Sequence, residues 1–219
     1  MTTLETVKKN PLVRTFIEKG NEHLGVMGFT DHGYLHLSLV SRLSREIMLK
    51  LGYDERLAEL AGIAGYMHDL GNVINRNGHS QSGALIAQEI LRRMGMDISE
   101  VAIICAAIGN HDEGSGHSVN QVAAALILAD KSHVHRNRVR NLDVATFDIH
   151  DRVNYAAEYS ILNIDDDNRI ITMELAIDTS ICPVMEYFEI FLSRMLMCRR
   201  AANFLNCEFE LVINGAKLL

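Results

Sequence analysis

The sequence predicts a mainly α fold: an all-helical bundle over residues 1–143, followed by a small α+β unit over residues 144–219. Two observations carry that expectation. Up to about residue 140, apolar residues recur at the spacing of one face of an α-helix. Beyond about residue 145 they alternate with polar or smaller neighbours, as in a strand, before a further helical run and a closing strand.

Taken in order, Val40, Leu43, Ile47 and Leu51 form one helical stripe, and Leu57, Ala61, Ala64 and His68 form another. Gly52 and Gly71 follow such runs and are expected to stop helices. Asp97-Ile98-Ser99-Glu100 has the spacing of a capping box before an apolar run to Ile108. Gln121 to Ala129 predicts another helix, which makes about six helices joined by short loops. In the second region, Val153, Tyr155, Ala157, Tyr159 and Ile161 predict a strand, and Asp165-Asp166-Asp167-Asn168 a turn. Ile171, Met173, Leu175 and Ile177 complete a hairpin. Pro183 is expected in the first turn of a helix ending near Asn203. Cys207, Phe209, Leu211 and Ile213 close the order β-β-α-β.

Composition narrows the function. Hydrophobic residues make up 48% and charged residues 22%, a globular balance that excludes a disordered chain. Apolar runs break well before the ~18 residues a membrane span needs, and MTTLETVKKN has no secretory core. A cytoplasmic protein is expected. The net charge of −7 argues against strong nucleic-acid binding. It leaves a small phosphorylated substrate open, because a bound divalent cation reverses the local field. Cys105, Cys182, Cys198 and Cys207 are scattered, which favours reduced thiols over a disulfide or zinc knuckle.

The histidines and two aspartates carry most of the information. His36 shares the stripe of Val40 and Leu43, and His111 follows Ile104 and Ile108 on an inner face. Asp69 and Asp130 each end an apolar run. An unpaired carboxylate is too costly to leave in an apolar interior. No lysine or arginine stands at a partner spacing before either aspartate. Histidines converging with these carboxylates around divalent cations resolve the conflict. A mixed imidazole and carboxylate set suits iron, manganese, nickel, cobalt or zinc. Six ligands (His36, His68, Asp69, His79, His111, Asp130) exceed what one catalytic cation needs if it keeps open positions. Two cations bridged by Asp69 use them all.

The order His36, then Tyr66-Met67-His68-Asp69-Leu70-Gly71, then Leu128-Ala129-Asp130-Lys131 resembles the H…HD…D pattern of HD-domain phosphohydrolases. His79 and His111 resemble the extra histidines of the binuclear members. Asn110-His111-Asp112-Glu113-Gly114-Ser115-Gly116 is similar to a stretch of the cyclic-dinucleotide-cleaving HD-GYP branch. Asp31-His32-Gly33 and the trailing α+β unit resemble a group of prokaryotic HD proteins. Three departures count against cyclic dinucleotides. Asn72 stands where many relatives have lysine, Asn110 where HD-GYP has a second histidine, and His117-Ser118 where it has tyrosine and proline.

The resemblance implies hydrolysis of a phosphomonoester or phosphodiester by a metal-bound hydroxide. Asp69 is the central catalytic ligand, and His117 and Lys131 are positional candidates for the leaving-group acid. The basic segment from Lys131 to Arg140 has two readings. Lys131, Arg136, Arg138 and Arg140 either clamp phosphate or form a solvated helix surface. His79 either binds metal or caps a helix, and His32 is either a turn residue or a neighbour of the site. Two other functions stay open: a non-catalytic metal- or nucleotide-binding regulator and a di-iron oxygenase. The hairpin either forms a homodimer contact or covers the helical domain.

Overall fold

Short polar side chains punctuate the first half of the chain, and each starts a helix. The structure is a computed structural model that describes residues 1–219. Thr3 caps α1 (Leu4–Lys9) through a reciprocal capping box with Thr6. Asn10 caps α2 (Pro11–Val26), whose proline occupies the first turn where no amide hydrogen is needed. Next come α3 (Tyr34–Lys50) and α4 (Glu55–Met67), the latter capped by Asp54. A 3₁₀ turn at Leu70–Val73 leads to α5 (His79–Arg93). Asp97 caps α6 (Ile98–Gly109), but Glu100 turns away to pair with Arg56, so the expected capping box is only half made. Asn120 caps α7 (Gln121–Lys131).

The bundle has seven helices, one more than the periodicity suggested, and α3, α4 and α6 pack directly on α7. Every residue from Val122 to Ala129 is at most 1% exposed. A helix apolar on all sides must sit inside the bundle. The ion that ends it, Asp130, is therefore delivered to the middle of the protein. No helix is long and apolar enough to cross a membrane.

The second region departs from the expected β-β-α-β order at its start. Val153 and Tyr155 lie in α8 (Ile149–Ala156), not in a strand. Asp148 accepts the Asp151 amide and nucleates a helical turn, and Ile149, Val153 and Ala156 then recur at helical spacing. Over so short a run, periods of 2 and 3.6 both fit. Strand β1 (Ala157–Asp165) follows, with a register shift between Ala157 and Tyr159. Beyond that shift Leu162 and Ile164 point inward, while Tyr159 and Ile161 face out, opposite to the expected face.

The rest follows the pattern. β2 (Ile170–Ile177) buries Ile171, Met173, Leu175 and Ile177, and pairs antiparallel with β1. Pro183 stands one residue before α9 (Val184–Phe204), at its cap. α9 crosses over to β3 (Glu208–Ile213), which pairs parallel with β2. A two-residue β4 (Ala216–Lys217) completes the sheet order β1-β2-β3-β4. Residues from both regions belong to one continuous apolar core of 54 buried side chains, which includes Leu126 on α7 and Met195 on α9.

Gly52 and Gly71 have different jobs. Gly52 has φ +81° just past α3, with the Tyr53 amide donating to the Met48 carbonyl, so it ends that helix as expected. Gly71 lies instead inside the 3₁₀ turn, where a Cβ would stand 1.9 Å from the His79 carbonyl oxygen and 2.6 Å from the Gly83 nitrogen. Its lack of a side chain lets the start of α5 press against the turn that carries Asp69. Gly71→Ala is expected to cost about 3 kcal/mol by overpacking, against ~1 kcal/mol for Gly52→Ala. Denaturant unfolding of the two variants should show that order. Equal costs would contradict this account of Gly71.

Candidate metal centre

Five segments deliver six donor side chains to one point. His36 lies in the first turn of α3, and His68 caps the end of α4 with Asp69 beside it. His79 opens α5, His111 follows α6, and Asp130 lies near the end of α7. Every one of these histidines is 1–2% exposed.

Backbone carbonyls set the ring orientations. The Nδ1 atoms of His68, His79 and His111 lie 2.9, 2.9 and 2.6 Å from the carbonyls of Gly65, Arg76 and Ile108. A carbonyl only accepts, so each Nδ1 carries the hydrogen and each Nε2, the nitrogen that can offer a lone pair, turns inward. His36 Nδ1 is 2.8 Å from His133 Nδ1, which leaves its Nε2 inward as well.

The inward atoms form two groups around one carboxylate. In the first, His36 Nε2 is 3.3 Å from both His68 Nε2 and Asp130 Oδ1. Asp69 Oδ2 closes that group, 3.3 Å from His68 Nε2 and 3.7 Å from His36 Nε2. In the second, His79 Nε2 lies 3.1 Å from His111 Nε2 and 3.5 Å from Asp69 Oδ1. Ligands about 2.1 Å from one cation, at right or tetrahedral angles, stand roughly 3.0–3.4 Å apart. The shortest distances in both groups have that spacing, and those from Asp69 to His36 and His79 run longer, at 3.7 and 3.5 Å. His36, His68 and Asp130, and separately His68, Asp69 and His111, are sets that can hold a metal ion. Asp69 Oδ2 is buried with no hydrogen-bond partner, which a protein tolerates when a cation is the intended partner. The residues fit divalent metal.

Without a cation, the electrostatics reproduce its charge with a proton. Burial pushes the His68 pKa down, but Asp69 and Asp130 outweigh it and raise it to about 10. Burial likewise opposes ionisation of the two aspartates. His68 nevertheless holds Asp69, and Lys131 with His36 and His68 holds Asp130, well below the usual carboxylate range. The other imidazoles stay neutral. Burial, helped by Arg138, lowers His36 to about 4, and burial beside His68 and His79 puts His111 well below its ordinary value.

The remaining expected residues divide. Lys131 is buried, with Nζ 2.8 Å from Asp130 Oδ2 and 2.7 Å from Glu113 Oε2. Arg138 lines the same small cavity as Asp69 and Lys131. Arg136 instead stacks 5.6 Å from the Tyr155 ring and lies 3.6 Å from Glu158. Arg140 ties Asn21 and Asp31 together. His117 is exposed and lines neither cavity beside the donor cluster. The basic segment is a 3₁₀ turn at Arg136–Arg138, not a helix surface. His32 stands next to His36, with ring centroids 5.5 Å apart, and lines the cavity.

Four neighbours of the centre gave no separate signal in the sequence. Arg76 approaches Asp69 at 3.7 Å, Arg194 of α9 binds Glu113 at 2.8 Å, and His133 holds His36. Only Glu113 and His133 lie in stretches that the sequence marked. The other two come from a loop and from a helix distant in sequence.

The HD domain family model matches residues 33–155, more than half of the chain. The chain belongs to the HD domain family. A search of curated proteins finds no match. Members of this family are generally metal-dependent phosphohydrolases, so the HD assignment and the donor geometry agree on divalent-metal chemistry.

The same pKa shifts set the stability of the metal-free HD protein. His36 and His111 stay neutral when folded but take a proton near 6.5 when unfolded, so stability falls as pH drops from 6.5 toward 4. His68 acts in the other direction. Its raised pKa adds stability that is complete below 6.5 and is lost as pH rises toward 10. Melting of chelator-treated protein across this range is expected to peak near pH 6.5. A monotonic profile would contradict the shifts.

Proposed function

We propose that this HD-domain protein is a metal-dependent phosphohydrolase that cleaves the phosphoester of a small molecule with two divalent cations. The observation that carries the reading is the split carboxylate of Asp69. Its Oδ2 faces His36 and His68, which also face Asp130, and its Oδ1 faces His79. One ion would be held by His36, His68, Asp130 and Asp69 Oδ2, and the other by His79, His111 and Asp69 Oδ1. The nitrogen and oxygen donors suit iron, manganese, nickel, cobalt or zinc. When bound, such ions supply Lewis-acid stabilisation of phosphate oxygens and lower the pKa of water toward 7.

The chain's own groups do the rest. Lys131 holds Asp130 Oδ2, which leaves Oδ1 toward His36 and His68. Glu113 faces Lys131 from the other side. Burial opposes its charge, yet Lys131 and Arg194 lower its pKa, so it stays ionised and Lys131 stays charged. His133 fixes the His36 ring by the Nδ1 contact. Around this polar floor, Arg76 and Arg138 add positive charge where a phosphate would approach.

Two measurements test the reading: metal content of the purified protein, and phosphate release over a panel of nucleotides and sugar phosphates. The double change His79→Ala, His111→Ala should lower the metal content from about two per chain to about one. Loss of even an outer partner of a metal ligand costs 10–100-fold, so phosphate release should fall by more than about 100-fold. One metal in the wild-type protein at saturating supply, with activity unmoved by the double change, would make both histidines bystanders.

A further inference from the structure

The small cavity over the donor cluster runs into a larger one of about 320 Å³. Four residues line both: His32, Arg76, Arg138 and Arg194. Three of these are guanidinium groups: Arg194 and Arg76 each reach one carboxylate through a single nitrogen, and Arg138 reaches none. Arg138 is 6% exposed and has no carboxylate partner. Its Nε and Nη1 donate to the carbonyls of Asp31 and His133, and Nη2 has no protein acceptor. Arg194 uses only Nε, on Glu113, and its guanidinium lies 4.4 Å from the Phe191 ring centroid. Arg76 reaches Asn72 and Asp69 through Nη1 alone, at 3.3 and 3.7 Å. A buried cation without a counter-ion is costly, and an anionic ligand removes the cost.

The other end of the cavity has the opposite character. It is walled by α8 and its cap, with the carboxylates of Asp148 and Asp151, the exposed imidazole of His150 and the buried amide of Asn154. Asp148 spends one oxygen on the Asp151 amide, and Asp151 spends one on Asn141. Their remaining oxygens can only accept hydrogen bonds, so they favour hydroxyl or amine donors and repel a second phosphate. Phe29 and Phe191 supply the flat sides. A volume of 320 Å³ is near the lower end of ~300–1,000 Å³ small-molecule sites. It has no room for an oligonucleotide.

We propose that this cavity is the substrate site, that Arg76, Arg138 and Arg194 grip the phosphate, and that the substrate is the monophosphate ester of a small polyol. The proposal rests on the phosphohydrolase reading and gives it a substrate class. A water oxygen bonds to phosphorus, the phosphorus–oxygen ester bond breaks, and the polyol leaves with a proton that water supplied. Arg194 belongs to α9, outside the matched segment 33–155, so the C-terminal unit completes the site.

The test uses the metal-loaded full chain with two probes, inorganic phosphate by calorimetry and a kinetic panel of polyol monophosphates, their bisphosphates and nucleoside triphosphates. Arg194→Gln is expected to weaken phosphate binding and raise KM by roughly 10-fold or more, with metal content unchanged. Arg194→Lys keeps the charge facing Glu113 and is expected to fall between. The double change Asp148→Asn, Asp151→Asn keeps the helix cap and is expected to improve bisphosphate turnover relative to monophosphate about 10-fold. Unchanged phosphate affinity in both Arg194 variants, or a wild-type preference for bisphosphates, would overturn the proposal. If no ester is hydrolysed while phosphate binds in an Arg194-dependent way, the hydrolase reading and the substrate class fail, and the anion clamp stands.

Discussion

Two carboxylates, Asp69 and Asp130, are sunk in the middle of a helical bundle, with side chains 4% and 12% exposed. Ionised carboxylates do not survive in such a place without compensation. Lys131 answers one oxygen of Asp130, and His68 shares a proton with both groups when no metal is present. The inward Nε2 atoms and the orphaned Asp69 Oδ2 have no better partner than divalent cations. Much of the fold serves to hold these charges where water alone would not support them.

The scaffold solves that problem through its most buried helix. α7 is apolar on every side, so its last turn buries Lys131 and leaves only the edge of Asp130 in reach of solvent. The close contact at Gly71 brings the start of α5, and hence His79, against the turn carrying Asp69. α9 then packs over α7, and its Arg194 pairs with Glu113, the partner of Lys131. A chain of ion pairs thus runs from the C-terminal unit to Asp130. The two regions of the sequence meet at this charge network.

His36, His68, Asp69, His111 and Asp130 stood out in the sequence because each interrupts an apolar pattern, whereas His79 stood out only through the family resemblance. A histidine on an apolar stripe, or an aspartate ending an alanine and leucine run, is a local anomaly with a chemical meaning. The helices of the bundle and the alternation in β2 and β3 were legible for the same reason. Other features depend on contacts that no local pattern records. Arg136 and Arg138 are two residues apart in a 3₁₀ turn, yet one stacks on Tyr155 and the other lines the cavity. Arg194 reads as an ordinary polar residue on a long helix until Glu113 is placed opposite it. The residues of α8 satisfy helix and strand periods alike, and only the Asp148 cap and the shift in β1 decide between them.

The central claim is that the Asp69 carboxylate joins two metal positions. Anomalous diffraction from crystals grown with excess manganese tests it most directly. The account predicts two anomalous peaks, one beside each oxygen of Asp69, the first among His36, His68 and Asp130 and the second between His79 and His111. A single peak, with His79 and His111 turned away from metal, would contradict it.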